Sequence, residues 1–187
     1  MAREYPEGMA NLDRIFRDYE VQLNAAKMRE MEQDAQEVRR HEFSRVQHMD
    51  RFAAQIGELI TCFTVDSQRL IGVLDGIGQG WIQLNTRAES LVIPLTAIDF
   101  WEGGNKFSHV DASSVNRKLS FAFALRALSR ARAHVRFYHV SGSMSEGVIE
   151  RVGADFVEVS VRGEDEKGRT QRGMRVLPLS SVIAVGS

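Results

Sequence analysis

The feature that most constrains the fold is an internal repeat. Residues 71–84 (IGVLDGIGQGWIQL) align without gaps on residues 146–159 (EGVIERVGADFVEV), an offset of 75 positions. The matched apolar positions pair Leu74 with Ile149, Ile77 with Val152, Trp81 with Phe156 and Leu84 with Val159. Self-similarity of this kind indicates two copies of one supersecondary unit. We therefore expect residues 57–104 and 134–187 to fold in the same way.

A second alignment extends the repeat towards the end of each copy. Residues 92–100 (VIPLTAIDF) align on residues 176–184 (VLPLSSVIA) at an offset of 84, so the second copy carries nine extra residues. These fall within RGEDEKGRTQRG, residues 162–173. A polar insertion costs little at a hairpin tip, which is where we expect it.

Each copy has the pattern of five short β-strands. From Gly57 onward, β-branched and aromatic residues alternate with polar ones between short turn signals. Gly72 and Gly147 lie inside predicted strands, where the missing Cβ permits a sharp bend or a close backbone approach. Pro94 and Pro178 suit a junction that needs no ladder donor. The pattern predicts a small, strongly bent barrel in each copy.

The N-terminal region is predicted to be a helical arm, residues 9–56. It has no Gly or Pro between Gly8 and Gly57, and Asn11 is a suitable N-cap. The apolar stripe changes phase twice, which indicates two helices or a bend near residues 39–41. The arm could form a coiled coil with a partner or pack on the chain's own barrels. Both alternatives stay open.

The segment between the copies, residues 105–133, is predicted to be a loop followed by a helix over 117–133. Between residues 112 and 145 there is no acidic side chain. The six basic residues of that stretch are the candidate contacts for nucleic acid or an acidic partner: Arg117, Lys118, Arg126, Arg130, Arg132 and Arg136. The alternative is that they neutralise the acidic first copy, whose formal charge is −4 (two basic and six acidic residues).

Composition and motifs favour a cytoplasmic, non-enzymatic protein. The 187 residues contain no apolar run long enough to span a bilayer, the first residues do not resemble a signal peptide, and the single cysteine, Cys62, fits a reducing compartment. The glycines of GIGQG, residues 76–80, precede a predicted strand, whereas a phosphate loop requires a helix there. The five histidines lack metal-ligand spacing. No cofactor, metal or small-molecule substrate is expected.

The repeat resembles the Sm-like family of small bent barrels. The family's first motif is kept in spacing by Gly72, Leu74, Ile77 and Leu84, and again by Gly147, Ile149, Val152 and Val159. Gly78 and Gly153 occupy the family's Asp position, and its basic second motif has become VIPLTAI and VLPLSSV. The chain is also similar to short actinobacterial proteins with an N-terminal helix and Sm-like repeats.

The resemblance implies an α+β fold with two Sm-like (SH3-like) five-stranded barrels in tandem, after a helical arm and joined by a basic helix. Sm-like barrels assemble by pairing edge strands. The expected function is an interaction or assembly module that binds a protein partner or itself, through the arm or the barrel edges. The alternative is RNA binding through residues 117–136. Whether the two barrels pair with each other stays open at this point.

Overall fold

A computed structural model describes residues 7–108, 118–164 and 170–187. It divides into two compact units, Met1–Val46 and Gln47–Ser187. The described part of the first unit contains one helix, α1 (Glu7–Phe43), as a chain without Gly or Pro after Gly8 and rich in Ala, Met, Glu and Arg favours. Its described side chains, residues 19–43, are all exposed. The helical region is interrupted between Phe43 and His48, a few residues beyond the bend predicted near residues 39–41.

The second unit contains a ten-stranded antiparallel sheet and two helices, α2 (His48–Ala53) and α3 (Phe121–Arg130). The strands of the first copy are β1 (Leu59–Thr64), β2 (Arg69–Gly78), β3 (Trp81–Asn85), β4 (Ser90–Pro94) and β5 (Ile98–Gly103). Those of the second copy are β6 (His134–His139), β7 (Met144–Val152), β8 (Phe156–Glu164), β9 (Thr170–Pro178) and β10 (Val182–Gly186). The chain is therefore α+β, as predicted.

Strand order repeats between the two halves. The order is β5-β1-β2-β3-β4 followed by β10-β6-β7-β8-β9, so each half places its last strand beside its first. The ten strands form one sheet, because β4 of the first half pairs with β10 of the second. This sheet does not close. The sequence left this pairing open, and the structure decides it.

Local irregularities also repeat at the offset of 75. The β2–β3 register shifts between Leu74 and Gly76, and the β7–β8 register shifts between the equivalent Ile149 and Arg151. A Cβ at Gly72 would lie 2.5 Å from the Asn85 carbonyl oxygen, and Gly147 makes the same close approach to Ser160. Glycine is thus required at both positions for strands to cross closely, as the sequence predicted.

The nine-residue insertion does not form a long loop. It lengthens the β8–β9 hairpin, which runs from Phe156 opposite Pro178 to Glu164 opposite Thr170. The equivalent β3–β4 hairpin has five pairs, from Trp81 opposite Pro94 to Asn85 opposite Ser90. The extra residues therefore lie at the tip end of this hairpin, as predicted, where residues 161–164 and 170–173 extend the ladder. Residues 165–169 lie outside the described part of the chain.

Two apolar cores lie on the sheet. The first contains Phe52 of α2 and inward residues of β1 to β4, and the second contains Leu125 of α3 and inward residues of β6 to β9. Strand β10 contributes to both: Ile183 and Ala184 pack in the first core, Val182 and Val185 in the second. This shared strand makes the two halves one packed body, since neither core is complete without it.

Helix α3 is shorter than the predicted 117–133. Ser120 caps it by accepting a hydrogen bond from the Phe123 amide, and Arg132, at a positive φ of 52°, lies beyond its end. Leu125 is buried, and Ser129 donates a hydrogen bond to the Ile149 carbonyl (3.1 Å). The helix therefore packs on β7 of the second copy. Among the described residues, no helix is long and apolar enough to cross a membrane.

Candidate functional site

The predicted basic residues are divided between α3 and the strand that follows it. Lys118 lies two residues before the cap of α3, while Arg126 and Arg130 are exposed on the helix. Arg132 follows the helix, and Arg136 lies in β6. Arg117, the sixth predicted contact, lies outside the described residues.

Two of these arginines bind carboxylates of the chain itself. Arg132 Nη1 lies 3.1 Å from Glu150 Oε2. Arg136 donates from Nε to Glu146 Oε1 (2.6 Å) and from Nη1 to Glu89 Oε2 (3.3 Å). The hydrogen bond with Arg136 lowers the pKa of Glu146. The alternative interpretation, neutralisation of the acidic first copy, thus applies to Arg136 through Glu89, whereas Arg132 pairs with a carboxylate of the second copy.

The other described basic residues have no carboxylate partner among the residues that the structure describes. These are Lys118, Arg126 and Arg130. Arg130 lies over the Phe123 ring, with its Cζ 5.6 Å from the ring centroid. Lys118 and the two arginines of α3 thus form a smaller basic surface than the sequence predicted, and Phe123 is exposed beside Arg130.

The Arg136 network joins the two halves. Glu89 comes from the β3–β4 hairpin, and it accepts a hydrogen bond from the Tyr138 hydroxyl as well as from Arg136. Beside it, β4 and β10 pair with Val92 opposite Val185 and Leu91 opposite Gly186. Ser90 and Ser187 exchange both backbone hydrogen bonds (3.1 and 3.3 Å) at the end of this ladder. The junction is built from backbone pairing, apolar contacts and charge.

The outer strands of the described sheet are β5 and β9, and both expose apolar side chains. Phe100 in β5 is 48% exposed, whereas Ala184, its equivalent in the paired strand β10, is 1% exposed. Val176 in β9 is 60% exposed, whereas its equivalent Val92 in β4 is 9% exposed. The repeat positions that are buried in β4 and β10 are therefore exposed in the equivalent outer strands, β9 and β5.

The exposed apolar surface continues inward from β5. The Phe100 ring stacks on Phe63 with centroids 4.4 Å apart. Trp101, the next residue of β5, is held from the other side by α2, where its ring lies 4.9 Å from Phe52 and its Nε1 donates to His48 Nε2 (2.9 Å). The β5 strand is thus rigidly supported while its outer edge is open.

A cleft at the β6–β7 turn contains a polar cluster that the sequence reasoning missed. His139 and Ser145 are buried, and His139 Nε2 lies 3.0 Å from Ser145 Oγ. Arg175 of β9 donates from Nη1 to the same Oγ (3.0 Å). Burial lowers the pKa of His139, and the charge of Arg175 acts in the same direction. Comparison of the two copies could have indicated this cluster, because the equivalent residues of the first copy are Thr64, Leu70 and Leu91.

The glycine-rich segment of residues 76–80 comprises the end of β2 and the β2–β3 turn. Strand β3 follows it at Trp81, and Gly80 has a positive φ of 77°. A Cβ at Gly78 would clash with the Trp81 ring, and Gly153 has the same relation to Phe156. The segment is a structural turn rather than a phosphate loop, because no helix N-terminus follows it.

The described residues contain no group of three or more His, Cys, Asp or Glu side chains that could hold a metal ion. Cys62 is buried in β1, and burial raises its pKa to about 12.

No protein-family model, curated protein or solved structure matches the chain.

Proposed function

We propose that this chain is a cytoplasmic, non-enzymatic assembly module of two tandem Sm-like copies that joins to further copies through its outer strands. The β5 edge of one chain would take up the β9 edge of the next. The observation that carries this proposal is the β4–β10 junction, since β9 is the repeat equivalent of β4 and β5 is the equivalent of β10.

Repeat equivalence gives the register of the proposed contact. Adding the offset of 84 to β4 and subtracting it from β10 converts Val92 opposite Val185 into Val176 opposite Trp101. It likewise places Arg175 opposite Glu102, a cross-strand pair of opposite charge. Complementary charge and exposed apolar side chains on both strands support this register.

Open strand edges are a known route to association, because their unpaired N–H and C=O groups accept another strand. A contact between two different edges is heterologous, so it generates a ring if the rotation closes and a filament if it does not. Hydrophobic burial of Phe100 and Val176 would stabilise it, at about 25 cal/mol for each Å² of apolar surface removed from water.

Two edge variants test this proposal when they are examined separately and together. Phe100→Lys blocks β5 and leaves β9 intact, whereas Val176→Lys does the reverse. By sedimentation equilibrium, we expect each variant alone to have the 21.1 kDa mass of one chain. An equimolar mixture should form a dimer, because each chain still contributes one intact edge. The unmodified chain should have a mass greater than that of a dimer.

The matched control is Val65→Lys, which changes an exposed apolar residue in the turn after β1. It should keep the mass of the unmodified chain. A mixture that stays at the monomer mass would exclude edge pairing, and so would variants that remain assembled on their own.

Helix α1 offers a second route to self-association. Several of its apolar side chains are exposed, among them Val21, Met28, Met31 and Val38. If α1 carries the association, both edge variants should keep the mass of the unmodified chain, and removal of residues 1–46 should reduce it.

RNA binding is the second candidate function, and it is favoured by the uncompensated charges on α3. Replacement of Lys118, Arg126 and Arg130 by Glu should then abolish binding of a single-stranded RNA at low salt, and binding by the unmodified chain should fall steeply as salt rises. Arg151→Glu is a control, because Arg151 already binds Glu158 (2.6 Å). Equal RNA retention by both proteins would contradict this role.

A further inference from the structure

The cluster of His139, Ser145 and Arg175 breaks the symmetry of the repeat. The structural equivalents in the first copy are Thr64, Leu70 and Leu91. Leu70 lies opposite Cys62 in the β1–β2 ladder, as Ser145 lies opposite Phe137 in the β6–β7 ladder. Two apolar positions and one threonine have therefore become a hydrogen-bonded polar set, although the surrounding apolar positions are conserved between the copies.

This polar set carries a cost that the first copy avoids. A buried polar group forfeits its hydration, and its hydrogen bonds recover only part of the cost. His139 and Ser145 are 8% and 5% exposed, respectively. The first copy forms the same strands with leucine at the positions of Ser145 and Arg175, so folding alone does not require polar side chains there.

Arg175 fixes one hydrogen-bond direction within the cluster. Arginine can only donate, so Ser145 Oγ accepts from Arg175, whereas the direction between Ser145 Oγ and His139 Nε2 depends on the tautomer of the histidine. His139 also forms a hydrogen bond with the Ser181 backbone. The cluster therefore holds one Nη of Arg175 in place, and no carboxylate of the described residues binds this guanidinium.

The surroundings of the cluster have the composition of an anion site. The cleft has a volume of about 680 Å³ and is open to solvent, and Arg175 on its wall is exposed. Besides the cluster, its polar lining is Ser141, Ser143 and Ser181, and none of the described lining residues is acidic. Arg132, Arg136 and Arg151 all bind carboxylates, so Arg175 differs from them in lacking one.

We propose that this cleft binds a phosphate group, either free or as a small phosphomonoester. The guanidinium of Arg175 presents a planar set of donors that suits tetrahedral oxyanions, and it is fixed on one side by Ser145. The serine hydroxyls of the cleft supply further donors to phosphate oxygens. The first copy cannot bind in this way, because Leu70 and Leu91 replace the donors.

Phosphate binding would also oppose the proposed edge contact. In that register Arg175 lies opposite Glu102 of the next chain, so one guanidinium cannot serve both anions fully. This consequence rests on the proposed function, whereas the phosphate site does not. Binding is therefore best measured in the Phe100→Lys background, where edge pairing is blocked and assembly cannot influence the result.

The experiment is a titration followed by the backbone amide resonances of Ser145 and Arg175 in ¹⁵N-labelled protein. Inorganic phosphate should give saturable shifts, and Arg175→Leu should weaken binding about tenfold or more, as expected for the loss of a charge-assisted contact. Arg175→Leu installs the residue of the first copy and should fold. Arg175→Gln is a second variant with the same expected loss.

The matched control is Arg126→Leu, which removes the same charge from α3, outside the cleft. It should leave phosphate binding unchanged. Equal loss in both variants, or binding of acetate as tight as that of phosphate, would overturn the assignment, as would the absence of saturable shifts. Ribose 5-phosphate distinguishes the two sources: tighter binding than inorganic phosphate assigns an organic phosphomonoester, and equal binding assigns the free anion.

Discussion

His139 and Thr64 occupy equivalent positions in the two halves, yet only the histidine titrates near neutral pH. Burial is the main cause that lowers the pKa of His139 in the folded chain. The unfolded chain therefore binds a proton more readily below a pH of about 6.5. Stability from this residue is present above that pH and is lost as the pH falls towards the folded-state value.

We expect the free energy of unfolding in urea to fall between pH 7.5 and pH 5. His139→Thr, which installs the residue of the first copy, should reduce that fall. His48, whose pKa burial also lowers, accounts for a further part. His134→Gln, at an exposed position, is the control and should keep the full pH dependence. An unaltered pH dependence in His139→Thr would contradict the prediction.

Glycine is required at position 147 because of the neighbouring strand β8. A Cβ there would lie against the Ser160 backbone carbonyl, which cannot move without disturbing the β7–β8 ladder. Gly147→Ala should destabilise the chain by about 2 kcal/mol, as steric strain at a packed backbone does. Gly173→Ala is the control, since its Cβ would meet only Val161 at 3.5 Å. Thermal unfolding measures the stability of both variants, and equal stability of the two would refute the steric explanation.

At the scale of elements, Leu125 is the buried side chain by which α3 packs on the sheet. Leu125 is fully buried in the second core, whereas the neighbouring Arg126 is exposed. Leu125→Ala should lower the free energy of unfolding by about 2–5 kcal/mol, as for other buried leucines. Arg126→Ala should change it by less than about 0.5 kcal/mol. Denaturation in urea measures both, and a small effect of Leu125→Ala would show that α3 contributes little to the core.

The two hairpins of equivalent position show how an element can change within a repeat. The β3–β4 hairpin ends at Asn85 and Ser90, where Ser90 donates to Asn85 (2.7 Å). The β8–β9 hairpin continues the ladder for four more pairs to Glu164 and Thr170. The sequence predicted where the extra residues lie but not their pairing, because backbone hydrogen bonds are available to polar residues as well. Strand β9 is therefore longer than β4.

At the scale of the whole molecule, α2 belongs with the sheet rather than with the arm. Phe52 is buried in the first core, and Gln55 accepts a hydrogen bond from the Asn105 amide (2.6 Å). The compact unit therefore begins at Gln47. The predicted arm, residues 9–56, included these residues because their composition is helical throughout.

A chain of residues 47–187 should unfold with the same midpoint temperature as the full chain. Both cores lie within this unit, and the described side chains of α1 are exposed. Circular dichroism at increasing temperature checks the midpoint, with loss of the α1 helical signal as the expected difference. A midpoint lowered by several degrees would show that α1 stabilises the sheet.

The sequence by itself determined the elements and their repetition. Alternation of apolar and polar residues is a local property of each strand, so the five strands of each half and the sites of Gly72 and Gly147 were predictable. Helical composition likewise predicted α1 and α3. These features require only neighbouring residues, or a comparison of the chain with itself.

Only the tertiary structure decided how the halves join and which polar groups meet. The β4–β10 ladder is made by backbone groups that every strand possesses, so no residue pattern distinguished Val92 as the partner of Val185. His139, Ser145 and Arg175 come from three strands and form a cluster only when β6, β7 and β9 fold over the second core. Long-range pairing depends on the packing of the whole sheet, and local sequence periodicity carries no information about it.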